Sequence, residues 1–299
     1  MSNAQIDLST NDSRKIGVVV VLFNPDQMAL QNILKWVDDC DCGLIVDNSP
    51  MEWEHKSEIL TRFSHIRYVH FPDNLGIAQA LNYGFEYCIE RGMECVLTLD
   101  QDSEPTPQMA SELYSVMHSE KSHAQIAVVT PFHAFPSRMS QPKNTRCEEL
   151  IWAMTSGNLV SIEAWKEVDG FDSELFIDAV DEDFGRKLHL KGFKTIQANE
   201  IKMKHELGYR KIYKFFGFHF HPSNYSPLRR YYATRNRIYM IKRYSRQFAG
   251  LTQEHLEFIK DDLVNILFFE RRKFSKFFMT FIAIIHAFCG VKGKYKGVF

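Results

Sequence analysis

Ile16-Gly17-Val18-Val19-Val20-Val21-Leu22-Phe23, closed by Asn24-Pro25, sets the architecture. An unbroken apolar, largely β-branched run shows no polar residue on either parity, so the strand it forms is covered on both faces, as in parallel sheets flanked by helices. Working outward, 26–37 carries a helical apolar period, and 43–46 is a short strand ending at Asp47-Asn48-Ser49. A further strand over 66–71 ends at Pro72-Asp73-Asn74. Ile77, Leu81, Phe85 and Cys88 mark a helix over 77–91, and 94–99 is a strand running into Asp100-Gln101-Asp102. Strand and helix alternate again to a strand over 126–130. This predicts an α/β fold with a doubly wound, mostly parallel sheet and a ligand crevice at the carboxyl ends of its strands.

The stretch 132–147 reads as a long surface loop, and the acidic segment 178–183 opens a helix ending near Lys191-Gly192. Beyond 226 the pattern is helical, over 228–246, 253–269 and 272–288. The expected organisation is one catalytic unit over 1–225 with a helical appendage over 226–299. Trp36, Trp53 and Trp165 are expected on helices as packing residues.

The chain has 299 residues and a formal net charge of −1, a globular composition that excludes disorder, collagen and coiled coil. The balance hides an asymmetry: residues 1–200 carry a net −15 and residues 201–299 a net +14. An acidic first part argues against a nucleic-acid groove, so no nucleic-acid partner is expected. The six cysteines form no CxxC pair and the polar start lacks a signal-peptide core, which reads as reduced thiols in the cytoplasm. The apolar run 277–291 falls short of the ~20 residues needed to span a bilayer.

Chemistry concentrates at the strand ends. Asp100 and Asp102, two residues apart after an apolar strand, point the same way into the crevice, a geometry suited to Mg²⁺ or Mn²⁺ completed by substrate phosphates. The alternative is a solvated turn capping a helix. Asp47 can accept from a ring N–H of a nucleobase, or serve only its turn. The run from Asp73 through Asn74, Gly76 and Asn82 puts small residues at a helix start, open to a diphosphate or ribose. Asp178, Asp181, Glu182 and Asp183 cluster at another helix start, and His205 follows a later strand; together they can complete a metal site and supply a base. Trp152, beside Thr155-Ser156-Gly157-Asn158, offers an aromatic face to a sugar.

The ordered set VVVLFNP, DNS, DNLGIAQALNYG, LTLDQDSEP, TSGNLVS, GFDSELFIDAVDEDFGRKLHLKGFK and KHELG resembles glycosyltransferase family 2, with the GT-A fold, over roughly 16–208. LDQDS, FIDAVDEDF and RRYYATRNRIYMIKRY are similar to bacterial dTDP-rhamnose-dependent rhamnosyltransferases of O-antigen and other surface polysaccharides. The resemblance implies a nucleotide-sugar site that includes Asn24, Asp47, Asn74, Gly76, Asn82, Asp100 and Asp102. It also implies a divalent cation at Asp100, Asp102 and His205, and Trp152 and Asp178 on the acceptor side. Asp181 matches the family's catalytic base. The family often has Glu-Asp before that base where this chain has Ala179-Val180, which leaves Asp181, Glu182 and Asp183 as candidates. The implied reaction is inverting transfer of a sugar, L-rhamnose for the narrower resemblance, to a glycan or lipid-linked glycan. Two other readings are a non-catalytic nucleotide-sugar binder and a nucleotidyl transferase, but no Gly/Lys-rich triphosphate loop follows the first strand.

Arg271, Arg272, Lys273 and Lys276 precede the run 277–291, and Lys292, Lys294 and Lys296 follow it. Phe277, Phe281, Ile284, Ile285 and Phe288 share one helix face. Either the helix is internal, or it lies in an anionic headgroup layer and makes the protein peripheral on the inner face of the cytoplasmic membrane.

Overall fold

The computed structural model describes residues 15–119, 125–134, 142–204, 213–215 and 218–297. The opening run forms β1 (Ile16–Leu22), followed by α1 (Gln27–Trp36), β2 (Cys42–Asp47), α2 (Lys56–Arg62), β3 (Ile66–His70), α3 (Ile77–Ile89), β4 (Cys95–Asp100) and α4 (Met109–Ser119). The α1 start is fixed by Asp26, whose carboxylate accepts from the amides of Met28 and Ala29 at 2.9 and 3.3 Å. Next come β5 (Ile126–Ala134), β6 (Cys147–Leu150), β7 (Asn158–Ser161), α5 (Ile162–Glu167), α6 (Val180–Leu190) and β8 (Lys194–Lys204). A hairpin of β9 (Tyr213–Phe215) and β10 (Phe218–Phe220) leads to α7 (Pro227–Tyr244), α8 (Leu251–Phe268) and α9 (Lys273–Cys289).

The main sheet has the order β3-β2-β1-β4-β7-β5-β8-β6. The first four strands are parallel, β7 runs against both its neighbours, β5 and β8 are parallel, and β6 is antiparallel to β8. Register pairs Leu22 with Asp47 and Val21 with Asp100, so three strands finish side by side. The order in which strands are added switches sides at β1, with β2 and β3 on one side and β4 on the other, which opens the crevice expected of a doubly wound sheet.

Two features differ from the sequence expectation. The 132–147 segment is trimmed at both ends, because β5 continues to Ala134 and β6 starts at Cys147. β5 passes Pro131 by shifting register against β8 between Pro131 and Phe132, an irregularity that accommodates a missing amide donor. Residues 135–141 of that segment lie outside the described residues. Trp53 is buried as expected but precedes α2 rather than lying on a helix.

β1 alternates between two cores. Val18, Val20 and Leu22 pack with Ile33, Trp36 and Leu113, while Val19 packs with Leu81, Phe85 and Phe184. That second cluster also holds Ile238 and Tyr239 of α7 and Ala287 of α9. The C-terminal helices therefore share a core with one face of the sheet.

Their own junction is polar. Buried Glu270 accepts from Arg230 Nη2 at 3.3 Å, from the Asn224 amide at 3.0 Å and from Lys276 Nζ at 2.7 Å, and both cations are buried. Arg230 also pairs with Asp262. Removing the shared carboxylate strands buried cations, so Glu270→Ala is expected to cost ~3–5 kcal/mol of unfolding free energy. Denaturant titration checks this; a loss below ~1 kcal/mol, the worth of an exposed pair, contradicts it.

Candidate active site

The Asp100-Gln101-Asp102 turn is fastened from behind. The Gly157 amide donates to Thr98 O at 2.7 Å and Thr98 Oγ1 donates to Thr155 O at 2.5 Å, which lays the segment before β7 across the end of β4. The Asp100 amide donates to Ser103 Oγ at 3.1 Å and Ser156 Oγ at 3.4 Å, and those two buried hydroxyls bond to each other. Gln101 Oε1 accepts from the Phe23 amide at 2.8 Å. With the backbone tied down, Asp100 and Asp102 border a cleft of about 620 Å³.

The opposite wall begins at Asn48, which accepts from the Leu75 amide and donates to Gly76 O, both at 3.2 Å. Asn74 has φ +49° and accepts from the Gly76 amide at 2.9 Å. Gly76 has φ +83°, and a Cβ there would meet Phe176 O at 2.6 Å, so a side chain is excluded twice over. Asn74 and Gly76 both line the cleft.

The rim at 174–179 is strained. Phe176, Asp178 and Ala179 have φ of +67°, +64° and +63°, left-handed values that cost non-glycine residues ~1–3 kcal/mol each. Two fully buried side chains of α7 hold it. Arg235 Nη2 donates to Glu174 O and Leu175 O at 3.2 and 3.0 Å. Asn236 Nδ2 lies 2.9, 2.7 and 2.9 Å from Leu175 O, Ile177 O and Asp178 O. Ala179 then starts α6 and delivers Asp181 to the cleft. Gly185 lets α6 approach Trp152, since a Cβ there would sit 2.4 Å from Trp152 Cβ, and Trp152 faces the same cleft.

This arrangement separates the three candidate bases. Glu182 turns inward, accepting from Arg186 Nε at 2.9 Å and contacting His255 Nε2 at 3.1 Å; against the cost of burial, these partners hold its carboxyl below the usual range. Asp183 is buried and accepts from Arg243 Nη1 at 2.5 Å and Tyr244 OH at 2.8 Å. The structure does not bring either to the cleft, because both anchor α6 to α7 and α8. The Asp181 carboxylate accepts from the neighbouring Glu182 amide, at 2.9 Å.

Other expected nucleotide contacts are also committed elsewhere. Asp47 is fully buried and accepts from the amides of Ser49 and Trp53 and from Tyr68 OH, at 2.9, 3.1 and 2.5 Å, so its carboxylate braces the turn after β2. Asn82 bonds Phe171 O and the Phe171 amide, at 2.8 and 2.9 Å, tying α3 to the segment before the rim. Asn24 is exposed with φ +47° and lies beside the cleft-lining Phe23, outside the lining itself. His205 lies outside the described residues; β8 leads to it, and Lys204 O accepts from the Glu104 amide at 3.4 Å, two residues past Asp102.

Sequence reading gave no role to Arg229 and Tyr225, which line the cleft near Asp178. Arg229 pairs with Asp178 at 3.4 Å and stacks over Tyr225 at 4.3 Å. Their only local signal is the basic, aromatic start of α7.

Burial, then the neighbouring Asp102 and Asp181, pushes the Asp100 carboxyl up to about 7. Burial, with Glu182 adding to it, raises Asp181 to about 6, and burial also raises Asp178. Neither the Asp100 nor the Asp102 carboxylate accepts a hydrogen bond among the described residues. Two unsatisfied hard-oxygen ligands under mutual repulsion fit a divalent cation such as Mg²⁺ or Mn²⁺. Among the described residues no group of three or more His, Cys, Asp or Glu side chains forms a metal cage.

Residues 25–168 match the family model for glycosyl transferase family 2. The chain carries a family 2 glycosyltransferase domain. The match includes Asp100, Asp102 and Trp152, while Asp178 and Asp181 lie beyond it. A relative, dTDP-rhamnosyl transferase RfbF of Shigella flexneri, is 26% identical over 243 residues, covering 76% of this chain and 80% of its own. In structure the glycosyltransferase is similar to S. aureus TarS 1-349, with TM-score 0.58 and 14% identity over 91% of this chain and 80% of that one. It is also similar to GalNAc-T7 with UDP, GalNAc and Mn2+, with TM-score 0.54 and 12% identity over 84% of this chain and 57% of that one. These structural likenesses show the GT-A fold.

The raised acids make a stability prediction for this glycosyltransferase. A carboxyl raised in the folded state costs nothing below its unfolded value near 4 and its full penalty above about 7. Asp100→Asn is therefore expected to stabilise the protein in EDTA at pH 8 by ~1–2 kcal/mol, reduced from the full shift because the cleft is open to water, with the gain gone by pH 4. Thermal melts at the two pH values check it; equal melting points of variant and parent at pH 8 contradict it.

Proposed function

We propose that this glycosyltransferase moves L-rhamnose from dTDP-β-L-rhamnose to a hydroxyl of a lipid-linked glycan in bacterial surface polysaccharide synthesis. The donor follows the name of the Shigella flexneri relative. The observation that carries the chemistry is Asp181, a carboxylate that lines the same cleft as Asp100 and Asp102 and has no cationic partner among the described residues. We place the work in the cytoplasm, at the inner face of the membrane.

Asp100 and Asp102 would hold the divalent cation, which when bound offsets charge on the departing diphosphate. Arg229 is the sole Lys or Arg among the described lining residues and adds a fixed positive charge to an acidic cleft. The bare backbone at Gly76 permits close approach of the nucleotide, and Trp152 offers the acceptor sugar a stacking face. The acceptor hydroxyl gives its proton to Asp181 Oδ as its oxygen bonds the anomeric carbon from the face opposite the diphosphate. The bond to the diphosphate breaks with its electron pair leaving on oxygen. A carboxyl near 6 is ionised at neutral pH yet more basic than an ordinary aspartate, as a general base requires.

Release of free nucleoside diphosphate from a panel of dTDP- and UDP-sugars, with Mn²⁺, Mg²⁺ or EDTA, tests the reading. Metal-dependent turnover with dTDP-rhamnose is expected; preference for another sugar replaces the donor, and no turnover with any sugar and acceptor extract favours a binding protein. Asp181→Asn should retain dTDP binding and lose roughly 10²–10⁴ in kcat. In the parent, kcat/KM should fall as pH drops through about 6, where Asp181 gains its proton. If Glu182→Gln gives the greater rate loss with the fold intact, the assignment of the base is wrong.

A further inference from the structure

We infer that the outward face of α9 is a membrane-contacting ridge for anionic lipid. The helix has two unlike faces. Lys276, Met279, Thr280, Ala283 and Ala287 are buried, and Met279 and Ala283 pack with Tyr231 and Tyr232 of α7. Phe274, Phe278, Phe281, Ile285 and Phe288 are 93, 53, 60, 40 and 70% exposed. At ~100° per residue these five fall within an arc of about 80°, opposite the buried set, and they extend about 21 Å along the axis. Of the residues expected together on one face, Phe281, Ile285 and Phe288 do turn outward, whereas Ile284 packs against the core. Leu267 and Phe268 at the end of α8 are also exposed.

Charge identifies the occupant. Residues 271–299 hold seven Lys and Arg and no Asp or Glu. Arg271, Arg272 and Lys273 are exposed at one end of the ridge, and Lys292, Lys294 and Lys296 at the other. A second copy of this chain is a poor fit, because pairing two such ridges in either direction sets cations against cations. An anionic headgroup layer complements both ends while the aromatic side chains enter the acyl boundary. Among the described residues no helix is long and apolar enough to cross a membrane, so the ridge lies along the surface rather than through it. Beyond Gly290, the Gly293 amide donates to Glu174 O at 2.7 Å and Lys294 donates to Asp73 O, which ties the end of α9 to both rims of the cleft. A membrane on the ridge thus places the cleft close to lipid-linked acceptors. The inference concerns α9 alone, so its failure leaves the donor chemistry of the cleft intact.

Co-sedimentation of the full chain with vesicles tests it. Vesicles of phosphatidylcholine with 30% phosphatidylglycerol are expected to bind at low salt at least tenfold better than phosphatidylcholine alone, with the difference lost in 0.5 M NaCl. The triple variant Phe274→Ser, Phe281→Ser and Phe288→Ser should lose binding tenfold or more, with circular dichroism and nucleotide release unchanged. Arg271→Gln with Arg272→Gln and Lys273→Gln should weaken binding to the anionic vesicles alone. No binding of the parent at low salt overturns the inference, as does undiminished binding by the triple variant. So does a parent dimer in solution that the triple variant converts to monomer.

Discussion

The grip of Arg235 and Asn236 on the backbone at Glu174, Leu175, Ile177 and Asp178 is the constraint on which the rest of the site depends. The rim carries three non-glycine residues in left-handed conformation, a state that persists only where its surroundings over-determine it. Arg235 also donates to Gly293 O at 2.7 Å, so one guanidinium joins α7, the rim and the segment after α9. The helices beyond residue 226 are thereby part of the active-site framework. Removing them would release the rim, turn α6 and withdraw Asp181 from the cleft.

Around that framework the carboxylates divide into two populations. Asp47, Glu182 and Asp183 are buried, each bonded to side-chain or backbone donors of other elements, and serve as struts. Asp100, Asp102 and Asp181 face the cleft with few or no donors, and burial there raises Asp100 and Asp181. Strain and like-charge crowding cost stability, and both collect at one place. The extensive packing on each face of the sheet offsets that cost, and a bound cation with its diphosphate would relieve the repulsion.

The sheet was legible in sequence because its information is local: apolar runs ending in Asn-Pro or acidic turns give β1, β2, β3 and β4 and put Asp100 and Asp102 at a strand end. What was not legible depends on distant partners. Nothing local distinguishes Asp181 from Asp183, since the latter is claimed by Arg243 and Tyr244 some sixty residues on. Asp47 kept two readings in sequence, base ligand or turn residue, because a buried strut and a ligand share the same strand-end position. β6 and β7, four residues each, are too short to show a period, and left-handed φ at Phe176 or Ala179 leaves no glycine to mark it. The apolar run of α9 was visible, but which of its faces meets α7 emerged only from packing.

In the proposed reaction one cleft carboxylate, Asp181, performs the proton transfer and no side chain forms a covalent bond to the sugar. Stereochemistry tests this most directly. With a defined acceptor and dTDP-β-L-rhamnose, the account predicts an α-L-rhamnosyl product, read from the one-bond anomeric carbon–proton coupling in the NMR spectrum. A β-linked product would mean net retention at the anomeric carbon, which a single direct displacement cannot give, and would contradict it.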